Sequence, residues 1–277
     1  MSRPLHHTIV PRVAGRAFLM MARERVRRWD RALDRVQPEQ MRQLFDIVGH
    51  AKSTEYGRGH GFAWIKSYDD FRQQVPVGDY DTFSPHIERM RRGETNVIVP
   101  EFVRYFGNSS GSSVAGKPKF LPITERQIRY QTGSGVDGLL RYLAHTGDDE
   151  FLRGFTLGLF PPTTMRAEGP VMITSNPALM AVKKPRISQL DYLPRDKACL
   201  EMADYAKKLD LIAETYLDYD VRAIAGTTCW FSLLFDKLLA VAERQGRRAT
   251  TPVNFPVASR SAGQRAKSRG APHRPSA

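Results

Sequence analysis

The stretch of this 277-residue chain with the most chemical potential is Gly107-Asn-Ser-Ser-Gly-Ser-Ser-Val-Ala-Gly-Lys-Pro-Lys119. Its glycines let backbone N–H groups converge on an anion without interference from Cβ atoms. The hydroxyls of Ser109, Ser110, Ser112 and Ser113 add donors, and Lys117 and Lys119 add positive charge. Together these groups make a cradle for phosphate. A flexible surface turn is built from the same small residues. Here, however, two apolar runs precede the loop and two lysines close it, and loops fixed to a scaffold are where function concentrates.

Three chemistries compete for the loop. Gly111 to Lys117 fits the G-x-x-x-x-G-K pattern of a P-loop, which needs Ser or Thr next and a helix starting there. Pro118 occupies that position and Pro122 follows, so the P-loop is rejected. Gly107-Asn-Ser109-Ser-Gly111 fits the G-x-S-x-G nucleophile elbow, which needs an immediate helix and a downstream acid and histidine. Lys117-Pro-Lys-Phe-Leu-Pro122 cannot be that helix, and the only downstream histidines are His145 and His273. A serine hydrolase is therefore the alternative, with a short motif in the wrong context. The third reading is a strand-loop-strand that folds over a nucleotide's phosphates.

The elements that must position such a loop follow from periodicity. Val26, Trp29, Leu33 and Val36 sit at helical spacing on a basic segment, and Met41, Leu44, Phe45 and Val48 give a second helix, starting at Pro38, one apolar face. Ser84-Pro85 reads as a helix start, with Ile87 and Met90 inward and Gly93 as the stop. Val97 to Val99 and Val103 to Phe106 read as strands before the loop, and Phe120-Leu121 as a short return after it. Thr124 to Gln127 is a capping pattern opening a helix toward His145, weakened by Gly133, Gly135 and Gly138. Phe155 to Phe160, Val171 to Thr174 and Val221 to Ala225 read as strands; Ala198 to Tyr216 and Thr228 to Ala242 read as helices. The alternation predicts an α/β fold: a helical N-terminal region, then a mixed or parallel sheet with helices. We divide the chain into a helical segment 1–37, a domain 38–250 and a disordered basic tail 251–277.

Composition limits the function classes. The net charge is +13, but the chain has no acidic residue after Glu243, and the eight lysines and arginines beyond it leave only +5 for residues 1–243. The basicity thus lies mainly in the segment after Glu243, and a specific nucleic-acid partner for the whole protein loses its support. A basic tail that binds nucleic acid remains the rival reading from another class, with a regulatory or scaffold fragment as a third. Two cysteines, Cys199 and Cys229, exclude a disulfide scaffold and suit a reducing, cytoplasmic setting. Both lie in apolar, helix-like contexts and read as inert core residues. His50 and His60 lack metal-ligand spacing and read as surface or satisfied histidines. Asp148-Asp149-Glu150 reads as a solvated loop, although three carboxylates could touch a metal. No apolar run reaches the ~20 residues of a membrane span.

Ser109-Ser-Gly-Ser-Ser113 with Gly116-Lys-Pro-Lys119 resembles the first signature loop of adenylate-forming enzymes. Thr54-Glu-Tyr-Gly57, Tyr68-Asp-Asp-Phe71, Val75-Pro76 with Tyr80-Asp81, and Ile87 to Glu94 precede it in an order that resembles the auxin-responsive, Gretchen-Hagen-type acyl-acid amido synthetases. Lys119-Phe-Leu-Pro-Ile-Thr124 and the unit Val221 to Leu239, with Ala225-Gly226 and Trp230, continue the series. The resemblance covers roughly residues 38–245. Ser112 and Ser113 stand where the family commonly has threonines, and the loop is about one residue longer at Val114-Ala115.

The resemblance implies the N-terminal part of an adenylate-forming-enzyme fold. It implies a two-step reaction in which a small carboxylic acid is adenylated by ATP with Mg2+ and then joined to an amino acid. Ser109, Ser110, Gly111, Ser112, Ser113 and Gly116 would cradle the phosphates, Lys119 would be the loop-closing lysine, and Lys117 would add charge. The helix from Thr228 either lines the acyl pocket or simply packs in the core. Because family members are longer and the Arg/Ser/Ala/Pro-rich segment after Thr250 looks like out-of-frame translation, we expect a truncated or frameshifted, inactive member with its catalytic residues unassigned.

Overall fold

The computed structural model describes residues 12–109, 119–184 and 191–247. Helix α1 (Arg12–Leu33) is followed by α2 (Val36–Ala51), α3 (Glu55–Gly59), α4 (Tyr68–Gln74) and α5 (Tyr80–Arg91). Strands β1 (Tyr105–Ser109) and β2 (Lys119–Ile123) flank the serine loop, and α6 (Glu125–Thr146) follows. The chain continues through β3 (Phe155–Leu159), β4 (Arg166–Glu168), β5 (Val171–Thr174), α7 (Asn176–Val182), β6 (Tyr192–Leu193), α8 (Lys197–Glu201), α9 (Tyr205–Tyr216), β7 (Val221–Gly226) and α10 (Thr228–Arg244).

The strands form two sheets. The first has the order β2-β1-β5-β4, with β1 and β5 parallel and both outer pairs antiparallel. Helix α5 covers one face, where Ile87 and Met90 pack on Phe106, Val171 and Ile173. Ile123, with Tyr105 beside it, packs instead with Ile128 of α6 and Leu179 of α7. Phe106 and Tyr105 point to opposite faces because successive side chains of a strand alternate. The second sheet, β6-β3-β7, is wholly parallel. Its central strand reads Phe-Thr-Leu-Gly-Leu and is buried almost throughout, as expected of a parallel strand. Leu157, Leu159, Leu193, Ile212, Phe231 and Leu234 join it to α9 and α10 in one core.

The family-like motifs before the loop turn out to be structural joints. Thr54 is fully buried; its hydroxyl donates to Ala51 C=O at 2.7 Å and accepts from Gly57 N–H at 2.9 Å, capping α3. A Cβ at Gly57 would lie 2.1 Å from that same carbonyl oxygen, which explains glycine in Thr-x-x-Gly. Ser67 and Asp70 form a capping box at α4. Arg89 grips both carboxylate oxygens of Glu55 at 2.7 Å and Glu94 at 2.7 Å, tying two of the motifs together.

The mixed and parallel sheet flanked by helices is the expected fold class, but several element readings need correction. Val97 to Val99 is irregular rather than a strand, and β1 begins at Tyr105, not Val103. Asn96 and Val97 instead offer their carbonyls to the first N–H groups of α3. Helix α5 starts at Tyr80 because Asp79 accepts from Thr82 N–H at 3.0 Å; Pro85 lies inside it. The long helix over Ala198 to Tyr216 is two, because Asp204 caps a new helix by accepting from Lys207 N–H at 3.1 Å. Helix α2 begins at Val36, two residues before Pro38. Leu33 and Val36 are exposed; the stripe of α1 that packs on α6 is buried Ala22 with half-buried Phe18, Leu19 and Trp29. That packing carries α6 unbroken through Gly133, Gly135 and Gly138. Strands β4 and β6, too short for a periodic pattern, went unread. The tail reading, 251–277, falls outside the described residues.

Candidate functional site

The serine loop springs from a pair of antiparallel arms. Register places Ser109 opposite Lys119 and Asn108 opposite Phe120. The two ends of the loop therefore face each other at the end of the sheet, and Lys119 stands at its mouth. Ser110, Gly111, Ser112, Ser113, Gly116 and Lys117 lie outside the described residues. Of the expected site residues, the structure thus places the backbone of Ser109 and the whole of Lys119.

This arrangement bears on the first of the three chemistries. A P-loop requires the chain to run on in a helix from its lysine, here Lys117. Instead it returns as β2, an extended strand paired with the strand that delivered it. The next described helix, α6, begins at Glu125, capped by Thr124, which accepts from Gln127 N–H at 3.1 Å.

Lys119 is supported from α5. Its Nζ lies 5.1 Å from the centre of the Tyr80 ring, a cation–π distance. The Tyr80 hydroxyl accepts from Phe120 N–H at 3.0 Å and donates to Phe120 C=O at 3.4 Å. On the ring of Phe120 sits the Arg91 guanidinium, 3.8 Å from its centre. Arg91 is largely buried and pairs with Glu88 at 2.6 Å and with Glu168 of β4.

Sequence reasoning missed the corner after β5. Because β1 and β5 run parallel, with Gly107 beside Thr174, the serine loop and the Thr174-Ser175-Asn176 corner leave the sheet at the same end. Ligands of open α/β sheets bind beyond the carboxyl ends of parallel strands. Ser175 caps α7 by accepting from Ala178 N–H at 3.3 Å, and Asn176 presents a buried Oδ1 without a hydrogen-bond partner among the described residues. The signal was present as a Ser-Asn-Pro start directly after an apolar strand.

The remaining candidates resolve into packing or surface chemistry. His50 pairs with Glu101 at 2.9 Å on the rim of a cavity of about 950 Å³, which also holds the Arg126–Asp46 pair. His60 stacks on Tyr56 at 4.0 Å and bonds its carbonyl at 2.9 Å. Asp148 accepts from the Tyr142 hydroxyl at 3.1 Å, and Asp149 pairs with Arg153 at 3.4 Å. Among the described residues no three His, Cys, Asp or Glu converge to hold a metal ion. Cys199 is fully buried, and burial pushes its thiol up to about 11, so it is inert. Cys229 corrects the sequence reading: it is exposed, because α10 turns Phe231 and Leu234 inward from its first turns and Cys229 outward. The same contacts make α10 a core helix, with Trp230 against Tyr205 at 4.0 Å. No described helix is long and apolar enough to cross a membrane.

Comparison with known proteins agrees with the resemblance drawn from the sequence. Residues 25–155 match the GH3 family N-terminal domain. The probable indole-3-acetic acid-amido synthetase GH3.2 of Oryza sativa subsp. japonica is 33% identical over 122 residues, which is 42% of this chain and 19% of that protein. Indole-3-acetic acid-amido synthetase GH3.17 of Arabidopsis thaliana is 35% identical over 96 residues, 34% of this chain and 15% of that protein. The matched segments thus span less than a fifth of these relatives' length. The solved structure of AtGH3.15 acyl acid amido synthetase in complex with 2,4-DB superposes with a TM-score of 0.59 at 20% identity, covering 73% of this chain and 35% of that one. The likeness in fold extends well beyond the segment in which the sequences align.

Proposed function

We propose that this chain, similar over residues 25–155 to the GH3 family N-terminal domain, grips the phosphates of ATP at its serine loop, as the phosphate-binding part of an acyl-acid amido synthetase. The reaction is that of a ligase: a small carboxylic acid is adenylated with release of pyrophosphate, and the amine of an amino acid then displaces AMP to form an amide. The observation that carries this reading is the register that sets Ser109 opposite Lys119 across the mouth of a glycine- and serine-rich loop.

In such chemistry the protein supplies positioning and electrostatics rather than a covalent partner. Lys119 would offset the negative charge of the triphosphate, with Lys117 adding to it. Backbone N–H groups and hydroxyls of Ser109, Ser110, Gly111, Ser112, Ser113 and Gly116 would donate to phosphate oxygens. The donor set suits a polyphosphate because it holds cations and neutral donors and no carboxylate. Mg2+ bound with ATP would supply further charge neutralisation, taking its oxygen ligands largely from phosphate and water.

Calorimetric titration of the chain with ATP tests the reading. We expect saturable binding that weakens in Lys119→Ala. A Ser109→Ala variant separates it from the hydrolase alternative: an esterase activity abolished by that change would overturn the phosphate reading in favour of a nucleophilic serine.

A further inference from the structure

Strand β2 is an outer strand of its sheet, and among the described residues the side chain of Tyr80 closes its open edge. Phe120 directs both its N–H and its C=O away from β1, and both meet the hydroxyl of Tyr80, at 3.0 and 3.4 Å. Paired and unpaired residues alternate along an antiparallel strand. Pro122 therefore shares the outward edge, where its missing N–H costs no ladder bond. The ring of the same tyrosine lies 5.1 Å from Lys119 Nζ, and Arg91 holds the Phe120 ring from α5. One residue of α5 thus fixes the backbone next to Lys119 and offers its ring to the Lys119 ammonium.

We propose that Tyr80 is a positioning residue of the phosphate site: it pins β2 at Phe120 and holds the Lys119 ammonium at the mouth of the serine loop before any anion arrives. This rests on the phosphate reading above. A free lysine side chain must lose much rotamer entropy to meet a ligand, and a site that has ordered it in advance binds more tightly. The cation–π contact is weak enough to be exchanged for a phosphate oxygen, so the lysine is held without being sequestered.

A double-mutant cycle tests the proposal, with inorganic tripolyphosphate as the probe and calorimetry as the readout. Tyr80→Phe keeps the ring and removes both hydrogen bonds; Tyr80→Leu removes the ring as well. We expect Tyr80→Phe to weaken tripolyphosphate binding about three- to ten-fold in the parent chain, Tyr80→Leu to weaken it more, and neither to matter in a Lys119→Ala background. An equal loss in both backgrounds would mean a merely structural role and overturn the proposal. So would tripolyphosphate binding that depends on Lys119 and is indifferent to Tyr80, a result that leaves the phosphate reading standing. If the parent chain binds neither tripolyphosphate nor ATP, the phosphate reading fails and takes this proposal with it. Amide exchange supplies a readout independent of any ligand: the Phe120 N–H should exchange at least ten-fold faster in Tyr80→Phe, and unchanged exchange would overturn the clamp itself.

Discussion

The two sheets are held together by different forces. In the second, β6-β3-β7, cohesion is apolar: Leu157, Leu159, Ile212 and Leu234 are buried in a single core with α9 and α10. In the first, the apolar layer under α5 is supplemented by polar joints, with Tyr80 bonded to the Phe120 backbone and Arg91 reaching both Glu168 and the Phe120 ring. Apolar packing is tolerant of direction, whereas hydrogen bonds and ion pairs set orientation. The sheet that carries the serine loop is therefore the one whose side chains are positioned, and the other is the one whose side chains are packed.

The largest effect should come from the packed sheet. Ile212 is fully buried, and Ile212→Ala should cost about 2–5 kcal/mol in urea unfolding. Molecules that remain folded should bind tripolyphosphate as the parent does; a matching loss of affinity would erase the distinction between the sheets.

Lys208 is a charged exception within the apolar core, as Tyr216 bonded to Asp196 is a polar one, and it sharpens the comparison. It is almost fully buried, and its ammonium donates to Phe160 C=O at 3.0 Å and Leu200 C=O at 3.3 Å. Lys208→Met takes the ammonium from the Phe160 carbonyl, while Leu200 C=O keeps the Thr163 N–H at 3.1 Å, and should cost about 1–3 kcal/mol at neutral pH. Burial lowers the Lys208 pKa below the ordinary lysine value, against the opposing pull of Cys199 and Asp196. The folded chain then binds fewer protons than the unfolded chain in the interval between the two values. Stability contributed by this group must therefore rise with pH toward about 10.4. The unfolding free energy of the parent should rise relative to that of Lys208→Met as the pH approaches about 10.4, whatever the slope that Cys199 and other groups add to both; parallel curves would remove Lys208 as the cause.

At the joint between loop arm and helix, Thr124→Ala removes the cap of α6 and should cost about 1 kcal/mol, readable as a lower urea midpoint at constant slope. The smallest structural effect, none on stability, is expected from thiol labelling. A thiol reagent should modify Cys229 alone in the folded chain and reach Cys199 only on unfolding. Two thiols reacting at once would show that the apolar core is open.

How much of this was legible in the sequence depended on whether a local signal had a competitor. Thr124 and the capping of α6 were read correctly because nothing nearby offered another start. Ser84-Pro85 failed as a helix start because Asp79 caps one turn and more earlier, and Asp204 divided a helix whose apolar stripe looked continuous. Lys119 stands out in the sequence because a lysine closing a glycine- and serine-rich loop has an obvious partner chemistry, which the titration below tests. Tyr80 was seen only as part of a motif, since its partner is the backbone of a residue forty positions away and no periodicity encodes that. The Thr174-Ser175-Asn176 corner was missed for a related reason: only the parallel pairing of β1 with β5 brings it beside the loop.

The central claim is that the positioned sheet presents a phosphate site closed by Lys119, and one titration tests it most directly. ATP should bind the parent chain saturably, and Lys119→Ala should weaken that binding about ten- to a hundred-fold, the range for losing one charge-assisted contact. Identical isotherms for the parent chain and Lys119→Ala would contradict the account.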